Sequence, residues 1–181
     1  MNKIFAILLL ALTTCKNLRN LADFDFDSFY TELVNQHNLL RKKHKADSLT
    51  KLAAIAELAQ ETADKCKAVN GLQHSGNSYN GQWMGQNLFV MGGAVPTGTE
   101  VADSWYEEIK DYDFDTGKSI TPNAMIGHFT QLVWKGSKQI GCAVAIGPWK
   151  SYNPSYYVCC NYFPGGNVIG YYTTNVVRPT S

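Results

Sequence analysis

The stretch Ser155-Tyr-Tyr-Val-Cys-Cys-Asn-Tyr-Phe163 decides how this chain folds. Its aromatic and β-branched residues are typical of a strand. Successive side chains of a strand point to opposite faces of the sheet. We therefore expect Cys159 and Cys160 to face different layers of the protein and to have different partners.

The segments on either side of this stretch complete a small sheet. Residues 139–147 predict a second strand, joined to the first by a loop that contains Pro148 and Pro154. Ile126 to Trp134, just before it, predicts a short helix. The tail, residues 164–181, is rich in glycine and then strand-like through Tyr171, Tyr172 and Val176.

Towards the amino terminus the apolar spacing changes to that of helices. Asp27 or Ser28 can cap a helix that runs to about Lys45, and its basic end, Arg41 to Lys45, is typical of a solvated helix terminus. A second helix is predicted over Ser48–Val69 and a short strand over Gly85–Val90. Thr97-Gly-Thr-Glu100 resembles a capping box, and it opens a third helix that ends near Asp111. Helices first and a sheet afterwards indicate one α+β domain.

The first residues are typical of a secretory signal peptide. Lys3 precedes an unbroken apolar run, Ile4 to Leu12, which is too short to cross a bilayer. We predict a signal peptide over residues 1–15, with cleavage between about residues 14 and 24, and a secreted protein.

Removal of that segment leaves an even number of cysteines for an oxidising compartment: Cys66, Cys142, Cys159 and Cys160. Four cysteines allow three pairings. The opposite facing of Cys159 and Cys160 favours one strand–strand bridge and one strand–helix bridge.

Composition argues against several classes of function. The chain has 181 residues, with 16 Lys and Arg against 15 Asp and Glu, a formal net charge of +1. Such a balance supplies no field to attract nucleic acid. No interior run of about twenty apolar residues predicts a membrane span. The sequence has no nucleophile elbow, P-loop, dinucleotide fingerprint or His-Glu-x-x-His.

Two longer motifs carry a resemblance. Gly127-His-Phe-Thr-Gln-Leu-Val-Trp134 and Tyr157-Val-Cys-Cys-Asn-Tyr-Phe-Pro-Gly-Gly-Asn167 resemble the two signatures of the CAP superfamily of cysteine-rich secretory, venom-antigen and pathogenesis-related proteins. His37-Asn38-x-x-Arg41, Gly85-Gln86-Asn87-Leu88 and Trp105-Tyr106-Glu107-Glu108 follow the same order as shorter family segments. The resemblance covers about residues 26–178, as one domain, and implies a three-layer α-β-α sandwich. It also implies that Cys142 pairs with Cys160, which leaves Cys66 for Cys159.

The same resemblance implies a shallow cleft lined by two histidines and two acidic residues. The matching positions here are His74, His128, Glu108 and Gln86, so an amide replaces one family carboxylate. Two imidazoles can hold a divalent metal ion, and Zn²⁺ is the ion that this ligand type favours, with Glu108 as the only further charged ligand. We expect such binding to be weak, and no cofactor to be obligatory. A carboxylate at position 86 is expected to tighten it. We interpret His37 as a structural residue of its helix.

Two functions follow as hypotheses. The first is an extracellular module that binds a sterol, a fatty acid or a protein partner, and Phe89, Met91 and Val95 provide apolar material for a groove. The alternative is a secreted hydrolase that uses His74, His128 and Glu108. Gln86 argues against the hydrolase, because one carboxylate and one amide cannot share acid and base roles.

Overall fold

The computed structural model describes residues 24–180. The predicted signal peptide and its cleavage site lie outside the described residues. The elements in chain order are α1 (Phe26–Lys43), β1 (Thr50–Lys51), α2 (Ala53–Ala68), β2 (Ser78–Tyr79), β3 (Gln82–Trp83), β4 (Gly85–Gly92), α3 (Gly98–Tyr106), a 3₁₀ helix (Glu107–Asp111), β5 (Tyr112–Asp113), β6 (Lys118–Ser119), α4 (Gly127–Leu132), β7 (Gln139–Trp149), β8 (Tyr152–Phe163) and α5 (Tyr172–Asn175).

The main sheet has four strands in the order β1-β7-β8-β4. The long strands β7, β8 and β4 are antiparallel, and β8 lies in the middle. The two-residue β1 pairs parallel with β7, so the sheet is mixed rather than purely antiparallel as predicted. The α+β sandwich expected from the sequence is confirmed.

Two apolar clusters show that the sheet lies between helical layers. One cluster joins α1, α3 and α4 to one face of the sheet, through residues such as Leu33, Trp105 and Phe129. The other joins the small side chains of α2, such as Ala59 and Ala63, to the opposite face. The cleft described below lies at the start of β4, which contributes Gln86 to its wall.

The cysteines of β8 face opposite layers, as their positions in the strand predict. Cys160 belongs to the cluster under α1, α3 and α4, and Cys159 belongs to the cluster under α2. Cys142 lies directly opposite Cys160 in the β7–β8 register, and the two form a disulfide bond. This bond fastens the two central strands of the sheet to each other.

The second predicted bridge, Cys66–Cys159, is wrong, because both residues are buried free thiols in the structure. They share one apolar cluster, but each sulfur has a local partner instead. Sγ of Cys66 contacts the backbone nitrogen and oxygen of Gln73 at 3.3 and 3.5 Å, and Sγ of Cys159 contacts Oδ1 of Asn161 at 3.9 Å. Burial raises the pKa of the Cys159 thiol, so it stays protonated.

The N-cap of helix α1 lies two residues before Asp27 and three before Ser28, the capping residues predicted. Asp25 is the N-cap, and its carboxylate accepts a hydrogen bond from the Ser28 backbone nitrogen. The basic end of the helix is only partly solvated, because Arg41 and His44 are fully buried while Lys42 and Lys43 are exposed. No helix within residues 24–180 is both long enough and apolar enough to span a bilayer.

Three other element boundaries complete the comparison. The predicted capping box is confirmed, since Thr97 and Glu100 bond reciprocally at the start of α3. Helix α2 begins at Ala53 rather than Ser48, because Thr50 and Leu52 donate to Lys138 and Ile140 at the edge of β7. The strand predicted through Tyr171 to Val176 is wrong, since Tyr172–Asn175 is a short helix.

Candidate functional site

Three of the four predicted cleft residues line one open cavity of about 200 Å³. His74 comes from the loop after α2, Gln86 from β4 and His128 from the first turn of α4. Met125, Gly127 and Asn167 complete this wall, and we call the cavity the histidine lobe. Glu108, in the 3₁₀ helix, lies behind His128 and does not line the cavity.

Glu108 holds His128 from behind with both of its carboxylate oxygens. Oε1 lies 2.7 Å from Nδ1 of His128, and Oε2 accepts from the backbone nitrogens of His128 and Phe129 at 2.9 and 3.1 Å. A carboxylate only accepts, so Nδ1 carries the proton and Nε2 of the neutral ring carries the lone pair. The ring also stacks on the buried Trp105, at 6.3 Å between centroids.

Gln86 holds His74 in the same tautomer. Oε1 of Gln86 lies 2.9 Å from Nδ1 of His74 and 3.2 Å from the backbone nitrogen of Ser75. An amide oxygen accepts, so Nδ1 of His74 must donate and its Nε2 keeps the lone pair. The amide at position 86 therefore does for His74 what the carboxylate of Glu108 does for His128.

The orientation of the Gln86 amide is set by the protein around it. Its Nε2 donates to Oδ1 of Asn161 at 2.9 Å and to Oγ of Ser75 at 3.0 Å. Asn161 cannot turn around, because its own Nδ2 donates to the Ile55 carbonyl at 3.1 Å in the buried core. Asn161 thus requires a donor from position 86, which an ionised glutamate would not supply.

The arrangement brings together two imidazoles, each with Nδ1 committed and Nε2 free of any bond to a protein atom within residues 24–180. A carboxylate or amide partner on one ring nitrogen is the arrangement that fixes histidine ligands at metal sites. Within the same residues, no group of three or more His, Cys, Asp or Glu side chains converges as a metal site. Any ion here would have two protein ligands, because Glu108 is used to orient His128.

A second lobe of the same cleft contains residues that the sequence analysis did not select. This cavity of about 290 Å³ shares His74, Gln86 and Asn167 with the histidine lobe. Its remaining wall consists of Gly76, Asn77, Trp83, Met84 and Asn161. We call it the tryptophan lobe. Asn161 and Asn167 lie inside the motif Tyr157–Asn167, but no local spacing distinguished Asn77 or Trp83.

Comparison with known proteins identifies the family of this chain. The family model of the cysteine-rich secretory protein family, CAP, matches residues 34–162. This chain belongs to the CAP family. The matched region extends from α1 to β8 and includes all four cleft positions.

Two curated relatives show the range of CAP-family proteins. The chain is 39% identical over 152 residues to Protein PRY2 of Saccharomyces cerevisiae, a match that covers 82% of this chain and 41% of that protein. It is 36% identical over 153 residues to human Golgi-associated plant pathogenesis-related protein 1, covering 83% of this chain and 94% of that one. The CAP chain thus spans about two fifths of the yeast relative and nearly all of the human one.

Solved structures share the fold at low sequence identity. The crystal structure of NaASP2 with Zn²⁺ has a TM-score of 0.60 at 20% identity, and the match covers 85% of this chain and 87% of that one. Schistosoma mansoni venom allergen-like protein 4 has a TM-score of 0.55 at 22% identity, with coverage of 75% and 87%. Both show that the CAP chain has the fold of these proteins.

The other two histidines of the CAP domain are structural. Nδ1 of His37 donates to the Leu33 carbonyl, and its Nε2 accepts from the hydroxyl of Tyr162, each at 2.7 Å. Burial lowers the pKa of His37 to about 4, so the ring is neutral. The interpretation of His37 as structural is confirmed. His44 is bonded at both nitrogens as well, to the Val177 carbonyl and the Tyr106 hydroxyl.

Proposed function

We propose that this CAP-family chain is an extracellular binding module whose cleft takes up a divalent metal ion weakly through Nε2 of His74 and His128. The observation that carries this proposal is that the two imidazole rings are hydrogen-bonded in the same way. Each Nδ1 is occupied by an oriented acceptor, Gln86 or Glu108. Each Nε2 is left as a lone pair, and both rings line one open lobe.

The donor set fits Zn²⁺, which accepts neutral imidazole ligands, but only as a weak site. Structural zinc has four protein ligands and catalytic zinc usually three, whereas this cleft offers two. When bound, the ion supplies positive charge and open coordination positions for an oxygen of a ligand or partner. His74 and His128 would hold it, while Gln86 and Glu108 keep both rings in the tautomer that binds.

Hydrolysis by paired carboxylates has less support. Both oxygens of Glu108 are satisfied by bonds to His128 and Phe129, and no Asp or Glu among residues 24–180 lines either lobe. A general acid and base must reach the substrate. The oriented imidazoles suit the uptake of a ligand better than this chemistry.

The apolar groove predicted from Phe89, Met91 and Val95 gives lipid binding little geometric support. Phe89 packs against the core under α1, α3 and α4. Val95 is half exposed and lines a shallow pocket of about 160 Å³. Pockets that bind small molecules usually measure about 300–1,000 Å³. Binding of a sterol or fatty acid stays a prediction from the family resemblance.

An extracellular location is supported by the amino-terminal pattern of Lys3 and Ile4–Leu12 and by the names of relatives. These include Secreted protein RBT4 of Candida albicans and human Cysteine-rich secretory protein 2, which are 36% and 38% identical. The buried disulfide between Cys142 and Cys160 is of the kind that persists in oxidising compartments.

Calorimetric titration of the protein with ZnCl₂ tests the proposal. We expect weak binding of one ion that fades in acid, because a proton and the metal compete for the same nitrogen. His74→Ala and His128→Ala should each lose at least about tenfold in affinity, since each removes one of two ligands.

His44→Gln is the matched histidine control, because that ring is bonded at both nitrogens away from the cleft. It should bind zinc like the unmodified protein. Equal affinity in all four proteins would place the metal elsewhere, and absence of binding in the unmodified protein would overturn the proposal.

A further inference from the structure

The tryptophan lobe differs chemically from the histidine lobe beside it. None of the residues that line it is acidic or basic apart from the imidazole of His74, which is shared between the two lobes. Its wall combines amide side chains with the exposed Trp83 and the buried Met84. A neutral lining of this kind attracts neither a carboxylate nor a cation, so its ligand should be a neutral polar molecule.

Trp83 offers this lobe a fixed aromatic surface. The six-membered ring of the indole packs on Gly165, where the Cβ of any larger residue would lie only 2.3 Å from Cε3 of the ring. The Trp83 carbonyl also accepts from the Gly165 nitrogen at 3.3 Å. The residue is nevertheless 52% exposed. The glycine thus supports the ring from one side and leaves the other part of the side chain for a ligand.

The side-chain atoms of the lining residues that have no bond to a described protein atom include Nδ2 and Oδ1 of Asn77 and Nε2 of His74. Nδ2 of Asn77 is buried and has no partner among the described residues. Nε2 of His74 is the free lone pair described above. Both ends of the Asn161 amide are already bonded, to Gln86 and to the Ile55 carbonyl. Both ends of the Asn167 amide are bonded as well, to Thr130 and to the Gly127 carbonyl. An unpartnered buried donor costs free energy that a ligand oxygen would recover.

We propose that the tryptophan lobe binds a neutral pyranose sugar. Each hydroxyl of a sugar both donates and accepts, so adjacent hydroxyls can accept from Asn77 and donate to His74. The C–H face of the ring can then lie on the indole of Trp83, as apolar surface packs on an aromatic face. The lobe is open and small, so one sugar ring should bind with a Kd in the millimolar range.

This inference rests on the cleft of the proposed function, but the two can fail separately. His128 belongs to the histidine lobe alone and Trp83 to the tryptophan lobe alone, while His74 belongs to both. His128→Ala should therefore lose zinc and keep the sugar. Trp83→Phe should keep zinc, and His74→Ala should lose both ligands.

The experiment is a two-dimensional NMR titration of the protein with methyl β-D-glucopyranoside and with N-acetyl-D-glucosamine, without added metal. The chain has four tryptophans, so the indole N–H signals of Trp105, Trp134 and Trp149 are internal references. We expect at least one of the two sugars to shift the Trp83 signal and to leave the references in place.

Variants then assign the contacts. Trp83→Ala should weaken binding at least about tenfold, and Trp83→Phe less, because phenylalanine keeps part of the aromatic face. Asn77→Ala should weaken binding by up to about tenfold, since it removes one hydrogen bond. Trp149→Phe, at the opposite end of the sheet, should change nothing.

Three results would overturn the proposal. One is no shift of the Trp83 signal with either sugar at about 50-fold the expected millimolar Kd, the upper limit of such a titration. Another is sugar binding that Trp83→Ala and Asn77→Ala leave unchanged. The third is a shift caused by the neutral peptide N-acetylphenylalanine amide and by neither sugar, which would make the lobe a peptide site.

Discussion

The four histidines of this protein form two pairs in two different regions, the buried end of α1 and the open cleft. His37 and His44 are buried, and both nitrogens of each ring bond to protein atoms. In the cleft, the rings of His74 and His128 bond only through Nδ1 to the described part of the chain. The number of committed ring nitrogens, rather than the residue type, separates structural imidazoles from candidate ligands.

The two regions are also joined physically. Arg41, one turn after His37, donates to the carbonyls of Leu132 and Trp134 at 2.9 and 3.0 Å. These carbonyls lie at the carboxyl end of α4, the helix whose first turn carries His128. A buried cation there satisfies orphan carbonyls and complements the helix dipole. The buried region therefore builds the helix that the cleft uses.

The largest effect is expected from removing that cation. Arg41→Met removes the guanidinium donor from four carbonyls, those of Asp47, Leu132, Trp134 and Ser137, and within residues 24–180 only the Trp134 carbonyl keeps another donor, the Ser137 nitrogen. We expect the free energy of unfolding to fall by more than about 4 kcal/mol, measured by chemical denaturation.

Lys42→Met is the control for this change, because Lys42 is the exposed neighbour. This variant should lower the free energy of unfolding by less than about 0.5 kcal/mol. A similar small cost for Arg41→Met would show that the buried network contributes little to stability.

The second prediction concerns the loss of folding stability in acid. The pKa of His37 is about 4 in the folded protein and 6.5 ordinarily, so only the unfolded chain takes up this proton between those values. Stability should therefore be complete above pH 6.5 and fall by about 3 kcal/mol as the pH drops towards 4. Burial also lowers the pKa of His44, which acts in the same direction.

Denaturation measured from about pH 7.5 to 4 checks this expectation. His37→Gln, which cannot take up that proton, should show a smaller loss of stability across the range than the unmodified protein. The matched variant of the cleft, His74→Gln, should keep the full loss, because His74 is exposed. An equal loss of stability in the two variants would contradict the distinction between the buried histidines and the cleft histidines.

A smaller effect is expected at the partner of His128. Glu108→Gln keeps the size of the side chain but can place an amide NH₂ towards Nδ1 or the backbone donors. Loss of such an orienting carboxylate typically weakens metal affinity by about 10–100-fold. Zinc titration should show this loss, while Glu107→Gln, an exposed neighbour, should show none.

The smallest effect is expected at position 86, where the side chain accepts from His74 and donates to Asn161. Gln86→Glu would place a carboxylate oxygen against Oδ1 of Asn161, which the Ile55 carbonyl prevents from turning. We expect a loss of about 1 kcal/mol at neutral pH that recovers in acid, when the new side chain can donate a proton. Zinc affinity should rise severalfold, since the added negative charge favours the cation. A stability that matches the unmodified protein at every pH from neutral to about 4 would contradict the role of Asn161.

Much of the fold could be predicted because its signals are local. The capping box at Thr97 and Glu100 and the opposite facing of Cys159 and Cys160 depend on spacing of a few residues. The predicted start of α2 was wrong, because the backbone before Ala53 bonds to the edge of the distant strand β7. The strand predicted in the tail was wrong, because the backbone after Tyr171 forms helical hydrogen bonds instead. The Cys66–Cys159 bridge was wrong because spacing does not show which partner a sulfur meets in the folded chain, and other groups took both sulfurs.

By itself, the sequence determined the α+β class, the CAP family and three positions that line the cleft, His74, Gln86 and His128, because residue types in order carry that information. Only the tertiary structure decided what those positions do. Whether an imidazole keeps a free nitrogen, whether Arg41 is buried and whether position 86 needs an amide all depend on groups brought together from distant parts of the chain. Hydrogen bonding is short-ranged and directional, so its partners are known only once the chain is folded.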